Sequence, residues 1–172
     1  MTFTSDELLA ELARLGIATT TVSHPPLRTV EDSKRLRGDL AGGHIKNLFL
    51  RDKRQRFWLV VALEDTPIDL KALARELGGG RFSFANEQQL DALLGIAPGA
   101  VSPFAVINDG GGAVTVVIDA AVLDKSPLNL HPLRNDCTTA IAPADLVRFL
   151  EQCGHTPRVM ALARGDAAGA AP

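Results

Sequence analysis

Gly42-Gly43-His44-Ile45-Lys46-Asn47-Leu48-Phe49-Leu50 is the stretch whose reading decides the fold of this chain. Two glycines precede a strand-like run of Ile, Leu and Phe, with a lysine and an asparagine where the strand begins. Side chains on a strand alternate between faces, so Lys46 shares a face with Leu48 and Leu50. A lysine aligned with two core leucines either lines a pocket or carries its charge to the pocket rim on an apolar stem. The plainer alternative is an edge lysine that guards a sheet against aggregation. A second apolar run at 57–63 follows across a charged turn, and the two strands, 44–51 and 57–63, make the clearest hairpin in the sequence.

Upstream of this hairpin, Thr4 and Glu7 have capping-box spacing, and Leu8, Leu12 and Leu15 follow at helical intervals up to Gly16. The Thr/Val-rich residues 18–23 read as a strand ended by His24-Pro25-Pro26, because proline cannot donate to a ladder. Residues 29–37 read as a short polar helix capped by Thr29, with Glu31, Asp32 and Lys34 facing solvent. Downstream, Asp69 caps a helix with Leu70, Leu73, Ala74 and Leu77 on one stripe, and Gly78-Gly79-Gly80 ends it. A short strand at 81–84 precedes a helix opened by Asn86 and Gln89. Strands at 105–107 and 113–119 are expected around the turn 108–112, then an extended start at 126–131 and a strand at 137–142. Pro143 suits the first turn of a last helix carrying Leu146, Phe149 and Leu150. The pattern predicts an α+β class: a single domain, 1–164, with a mixed, barrel-like β-sheet and surrounding helices, and a flexible Ala/Gly-rich tail, 165–172.

With 172 residues and 46% hydrophobic content, the chain can bury a sizeable core. A net charge of -2 gives no general basic character, so any RNA contact must come from a local patch such as Arg51, Lys53, Arg54 and Arg56, or Lys34, Arg35 and Arg37. Neither a secretory leader nor an apolar run of membrane-spanning length is visible, which predicts a cytoplasmic protein.

No nucleophile–base pair is legible. Cys137 sits in an apolar strand and Cys153 near a helix end, and neither has an evident activator. His24, His44, His131 and His155 are scattered without ligand spacing, so neither metal nor cofactor is expected. The loop Gly99-Ala100-Val101-Ser102-Pro103 stands out instead. Glycine lets a ligand approach the main chain, and free N–H groups there can bind a carbonyl or an oxyanion. The competing reading is a helix-to-strand connector that needs Gly and Pro only for its path.

Taken together, several motifs resemble one family. They are His24-Pro25-Pro26 with Thr29-Val30-Glu31, Gly43 through Leu50, and Leu70-Lys71-Ala72-Leu73-Ala74. Then come Leu94 through Phe104, Val106-Ile107-Asn108-Asp109, and Leu130-His131-Pro132 with Asn135 and Thr138. In this order they resemble the free-standing aminoacyl-tRNA deacylases of the YbaK/prolyl-tRNA-synthetase insertion-domain family, and within it the ProX branch that edits mischarged prolyl tRNA. The resemblance implies a trans-editing hydrolase for mischarged tRNA(Pro), with Ala-tRNA(Pro) as the expected substrate and Cys- or Ser-charged tRNA as the alternative. It implies that Lys46, Gly99 and Ser102 serve catalysis. Lys46 would hold the terminal adenosine or its phosphate, and the Gly99 to Pro103 backbone would cradle the ester. Asn47, Pro103, Phe104, Asn108, His131 and Thr29 would bind substrate. No protein nucleophile is implied, and a ribose hydroxyl would help activate water. The expected partners are the tRNA(Pro) acceptor end and prolyl-tRNA synthetase. A non-catalytic aminoacyl-tRNA binding module and a small-molecule esterase are the readings from other classes.

Overall fold

The computed structural model describes residues 1–27 and 30–165, without the side chains of 30 and 37–39. Five helices and eight strands follow in the order α1 (Ser5–Arg14), β1 (Thr19–Ser23), α2 (Val30–Asp39), β2 (Gly43–Arg51), β3 (Phe57–Leu63), α3 (Leu70–Glu76), β4 (Ser83–Phe84), α4 (Glu87–Leu94), β5 (Val114–Asp119), β6 (Leu128–Leu130), β7 (Cys137–Ile141), α5 (Pro143–Gln152) and β8 (Arg158–Met160). The strands form one mixed sheet in the order β1-β7-β6-β2-β3-β5-β8, with β4 on the side of β2. The expected α+β class with a mixed sheet is borne out, and the sheet runs from an edge at β1 to an edge at β8. The strand path and the helices that cover both its faces leave β2 and β3 at the centre.

The hairpin is present in the expected register, with Lys46 opposite Ala62 and Asn47 opposite Val61. Both faces of these strands are covered. Phe49, Leu59, Val61, Val116 and Ile118 pack beneath α1, α4 and α5. Leu48, Leu50, Trp58, Val60 and Ala62 pack against Leu73 and Ala74 of α3, its C-cap Leu77, and Phe82. Ile45, Asn47 and Phe49 therefore face one layer, and Lys46, Leu48 and Leu50 face the other. The paired glycines have a steric reason. A Cβ on Gly42, which sits at φ 105°, would meet the Pro127 carbonyl oxygen at 2.1 Å, and one on Gly43 would meet the Lys125 Cβ at 2.6 Å. They admit the loop that leads into β6.

The local caps are formed. Thr4 and Glu7 close a capping box, Asn86 and Gln89 close another, and the Asp69 carboxylate accepts from the Lys71 and Ala72 N–H groups. Two expectations are corrected. Residues 105–107 are not a strand but part of a 3-10 helix, Pro103–Asn108, so no hairpin forms with β5. Ser102 caps this helix and Pro103 occupies its first turn, which starts a turn-like path that Val106 and Ile107 continue. Asp32 is half-buried rather than facing solvent, while Glu31 and Lys34 are exposed. The cap expected at Thr29 lies outside the described residues, as does the tail from 166 onward.

Candidate active site

The sheet order brings β7, β6 and β2 side by side, and the ends of these strands line a small cavity of about 110 Å³. Its floor holds Asn47, Leu130, His131 and Thr138. Ser33 and Leu36 of α2 close the other side, and Glu64 stands at the end of β3. Residues 29–37, read from the sequence as a polar helix, thus contribute a wall of the cavity through Ser33 and Leu36.

His131 is held in a defined tautomer. Its Nδ1 lies 3.1 Å from the Cys137 carbonyl oxygen. A carbonyl only accepts, so Nδ1 carries the proton and Nε2 keeps a lone pair. Burial pulls its pKa below the ordinary histidine value; the Cys137 carbonyl opposes this and His24 adds to it. Among the described residues Nε2 has no partner. His24 is set by the same logic. Its Nδ1 donates to the Pro25 carbonyl at 2.8 Å, so Nε2 accepts the Thr138 hydroxyl at 2.9 Å. The two rings stand 6.4 Å apart.

Asn47 joins this floor to the glycine loop, because its Nδ2 donates to the Val101 carbonyl at 3.1 Å. Its Oδ1 is buried and has no partner among the described residues. A buried amide oxygen without a donor costs about 1–3 kcal/mol, so this oxygen favours a donor at this position. Gly99 turns the loop at φ 88°, a conformation that glycine adopts without strain, and its open side faces Asn135. The N–H groups of Gly99, Val101 and Ser102 have no acceptor among the described residues.

The remaining positions fall elsewhere. Lys46 points to the opposite face from Asn47. Its ammonium donates to the Thr66 carbonyl, with Asp65 and Glu64 nearby. Burial lowers its pKa and the two carboxylates partly offset this. Lys46 itself does not line the cavity, whereas Glu64, whose charge acts on it, does. Ser102 is fully buried, and its hydroxyl accepts from the Phe104 N–H at 3.2 Å, so its side chain is a helix cap. Pro103 and Phe104 are buried as well, and Phe104 packs edge-on against Phe149 at 5.4 Å, inside the core. Asn108 bridges the Phe3 N–H and the Leu94 carbonyl. The structure therefore presents no side chain of Ser102, Phe104 or Asn108 to the cavity, because each is engaged in capping or core packing. Thr29 lies outside the described residues. Ser33, Leu36, Asn129 and Glu64 were not legible as site residues. The α2 pattern, a polar helix carrying Leu36, hinted at Ser33 and Leu36 alone.

Among the described residues no group of three or more His, Cys, Asp or Glu side chains is assembled to hold a metal ion. Nor is a cysteine available as a nucleophile. Cys137 is buried and its thiol is raised by burial, while burial pushes Cys153 up to about 11.

Residues 24–149 match the family described as "Aminoacyl-tRNA editing domain". The chain belongs to the aminoacyl-tRNA editing domain family. It is 39% identical to Prolyl-tRNA synthetase associated domain-containing protein 1 of Danio rerio, over 90% of this chain and 85% of that protein. It is 36% identical to the prolyl-tRNA editing protein ProX of Acetoanaerobium sticklandii, over 90% of this chain and 95% of that protein. A multifunctional Ser/Thr-tRNA deacylase, ProXp-y of Escherichia coli, is 31% identical over 59% of this chain and 62% of its own length. A crystal structure described as a candidate trans-editing enzyme for prolyl tRNA synthetase shares the fold, with a TM-score of 0.72 and 18% identity, over 96% of this chain and all of that one. The YbaK/ProX resemblance is borne out, and the enzymatic class is that of an aminoacyl-tRNA deacylase. No helix among the described residues is long and apolar enough to cross a membrane.

Proposed function

We propose that this editing domain hydrolyses the ester of mischarged tRNA(Pro), with Ala-tRNA(Pro) as its main substrate, acting on the tRNA acceptor end after release from prolyl-tRNA synthetase in the cytoplasm. The observation that carries this reading is the small cavity whose floor joins Asn47 and His131 to the Gly99–Pro103 loop. An aminoacyl ester is already activated, so positioning and oxyanion stabilisation are enough to hydrolyse it. The unpartnered Asn47 Oδ1 suits the amino group of the substrate. The free N–H groups of the loop suit the developing oxyanion. A neutral His131 offers its Nε2 lone pair to water or to a ribose hydroxyl. Lys46, whose ammonium lies near Asp65 and Glu64 beyond the end of β3, would anchor the terminal nucleotide phosphate.

Size supports alanine. About 110 Å³ is less than the roughly 150 Å³ that admits a benzene ring. A cavity this small, bordered by Leu36 and His131, suits a methyl group better than a bulkier ring. The polar lining from Thr138 and Ser33 also suits a hydroxyl, which favours serine as the second substrate, in keeping with the Ser/Thr activity named for one relative. Single-turnover deacylation of tRNA(Pro) charged with Ala, Ser, Cys and Pro tests both. Faster release of proline than alanine would overturn the reading, and no release of any would leave a binding module.

A further inference from the structure

We propose that His24, which stands outside the cavity, is a positioning residue that acts through Thr138: it takes the hydroxyl proton and so presents Thr138 to the substrate as an acceptor. This rests on the editing function above and names what sets the polarity of that site.

Local sequence already restrains His24. Pro25 and Pro26 follow it, and a proline confines the residue before it to extended backbone. The His24 N–H donates to the Asp136 carbonyl at 2.9 Å, one step beyond the Ser23–Cys137 pair that ends the β1–β7 ladder. The ring is half-buried and does not line the cavity. On its outer side it borders a hollow of about 270 Å³ together with Asp32 and Arg35. In the neutral ring the Nδ1 proton is spent on the Pro25 carbonyl, so Nε2 only accepts, and its partner at 2.9 Å is the Thr138 hydroxyl. A hydroxyl has one proton. Once His24 holds it, Thr138, which is buried and lines the cavity, turns lone pairs toward that space.

The rest of the lining follows the same rule. Asn47 directs its Nδ2 at the Val101 carbonyl and leaves Oδ1 buried without a donor. Asn129 directs its Nδ2 at the Ala41 and Gly43 carbonyls. The His131 Nδ1–H goes to the Cys137 carbonyl and the His44 Nε2–H to the Leu40 carbonyl. Glu64 is a carboxylate, and Ser33 on α2 already has a partner. In these four side chains an amide or imidazole donor is fixed by a main-chain carbonyl. Thr138 differs, because its hydroxyl rotates about a single bond and no main-chain carbonyl takes its proton. Without an acceptor behind it, that proton is free to turn into the cavity and compete with the substrate's own donors for Asn47 Oδ1 and His131 Nε2. His24 supplies the acceptor and settles the rotor before the substrate arrives.

The test uses the full chain carrying His24→Ala, His24→Gln, His24→Lys, Thr138→Val, or His24→Ala with Thr138→Val, each checked by thermal melting. A glutamine side chain spans the length of the ring and can accept, whereas lysine only donates. On Ala-tRNA(Pro), His24→Ala and Thr138→Val should each lower kcat/KM about 10-fold, the size of one hydrogen bond. The double variant should fall no further than the worse single one. His24→Gln should recover most of the activity, and His24→Lys should stay as slow as His24→Ala. Losses that multiply in the double variant, equal activity of the Gln and Lys variants, or a fully active His24→Ala would each overturn the role. Losses that track the melting temperature across the set would make His24 a strap between β1 and β7 and overturn it too. The imidazole nitrogen resonances decide the same point without turnover. At about pH 8.5, where a free histidine is neutral, the His24 proton should sit on Nδ1, and the Nε2 resonance should move in Thr138→Val. A proton on Nε2, or an unmoved Nε2 resonance, would overturn the proposal. Failure of the wild type on every charged tRNA would remove the editing reading and leave the ring spectrum to decide His24.

Discussion

Asn47 and Lys46 are neighbours in the chain and belong to two different environments. Asn47 looks into a small cavity whose polar groups are oriented by neutral hydrogen bonds, to the Val101 carbonyl and, for His131, to the Cys137 carbonyl. Lys46 looks to the face that α3 covers, where Lys71 and Arg75 are exposed. The difference teaches that one strand, by alternation alone, offers a buried polar group to one face and a cation to the other. Buried groups in a low-dielectric setting discriminate, because each missing partner is expensive. Exposed charges in water contribute little singly and are screened by salt, so they supply binding that is strong only in number.

Removing the link between the two faces should have the largest effect. Lys46→Ala is expected to abolish measurable deacylation of Ala-tRNA(Pro), a loss of ~10³-fold or more, in a protein that melts like the wild type. Normal turnover in that variant would detach Lys46 from the site. On the cavity side, His131→Ala should slow alanine release by ~10²-fold and narrow the ratio of Ala to Pro single-turnover rates. An unchanged ratio in an active variant would move the selective wall to Ser33 and Leu36 on α2.

The acid limb of the rate profile sharpens the same contrast. The role proposed for His131 uses its neutral form, and burial holds its pKa below the ordinary histidine value. Activity should therefore fall as pH drops through a value below that of a free histidine, and be full above it. A limb displaced to the alkaline side of a free histidine would assign the titration to another group. In the turn between β2 and β3, Asp52→Ala should cost about 1–3 kcal/mol in denaturant unfolding, since three donors lose their acceptor, the Arg56 partner being 43% exposed. No loss would mean that the hairpin does not depend on the buried carboxylate. The smallest effect is expected from Cys137→Ala with Cys153→Ala, which should leave the rate of Ala-tRNA(Pro) hydrolysis unchanged. Its loss in a folded double variant would reopen covalent catalysis.

Features that depend on a few neighbouring residues were legible. The Thr4/Glu7 and Asn86/Gln89 boxes, the Asp69 cap and the 44–63 hairpin all formed as expected. The strand expected at 105–107 failed because Val106 and Ile107 carry β propensity, while Ser102 and Pro103 had already set a helical turn. The edge strand β8 escaped notice because Arg158–Met160 is short and pairs in parallel with β5, a partner about 40 residues earlier. Ser102 and Phe104 were legible as members of a motif but not as buried groups. A motif records which residues occur, and only packing shows which of them reach the surface.

The sequence by itself determined the alternation that sends Lys46 and Asn47 to opposite faces, and the family to which the glycine loop and the lysine strand together point. Alternation is a property of the strand's own geometry, and so it survives any tertiary arrangement. Only the tertiary structure decided that Asn47 meets Val101, 54 residues away, and that α2 closes the cavity over His131. Those contacts follow from the strand order β7-β6-β2, which parallel pairing across a long connection sets and no local pattern encodes.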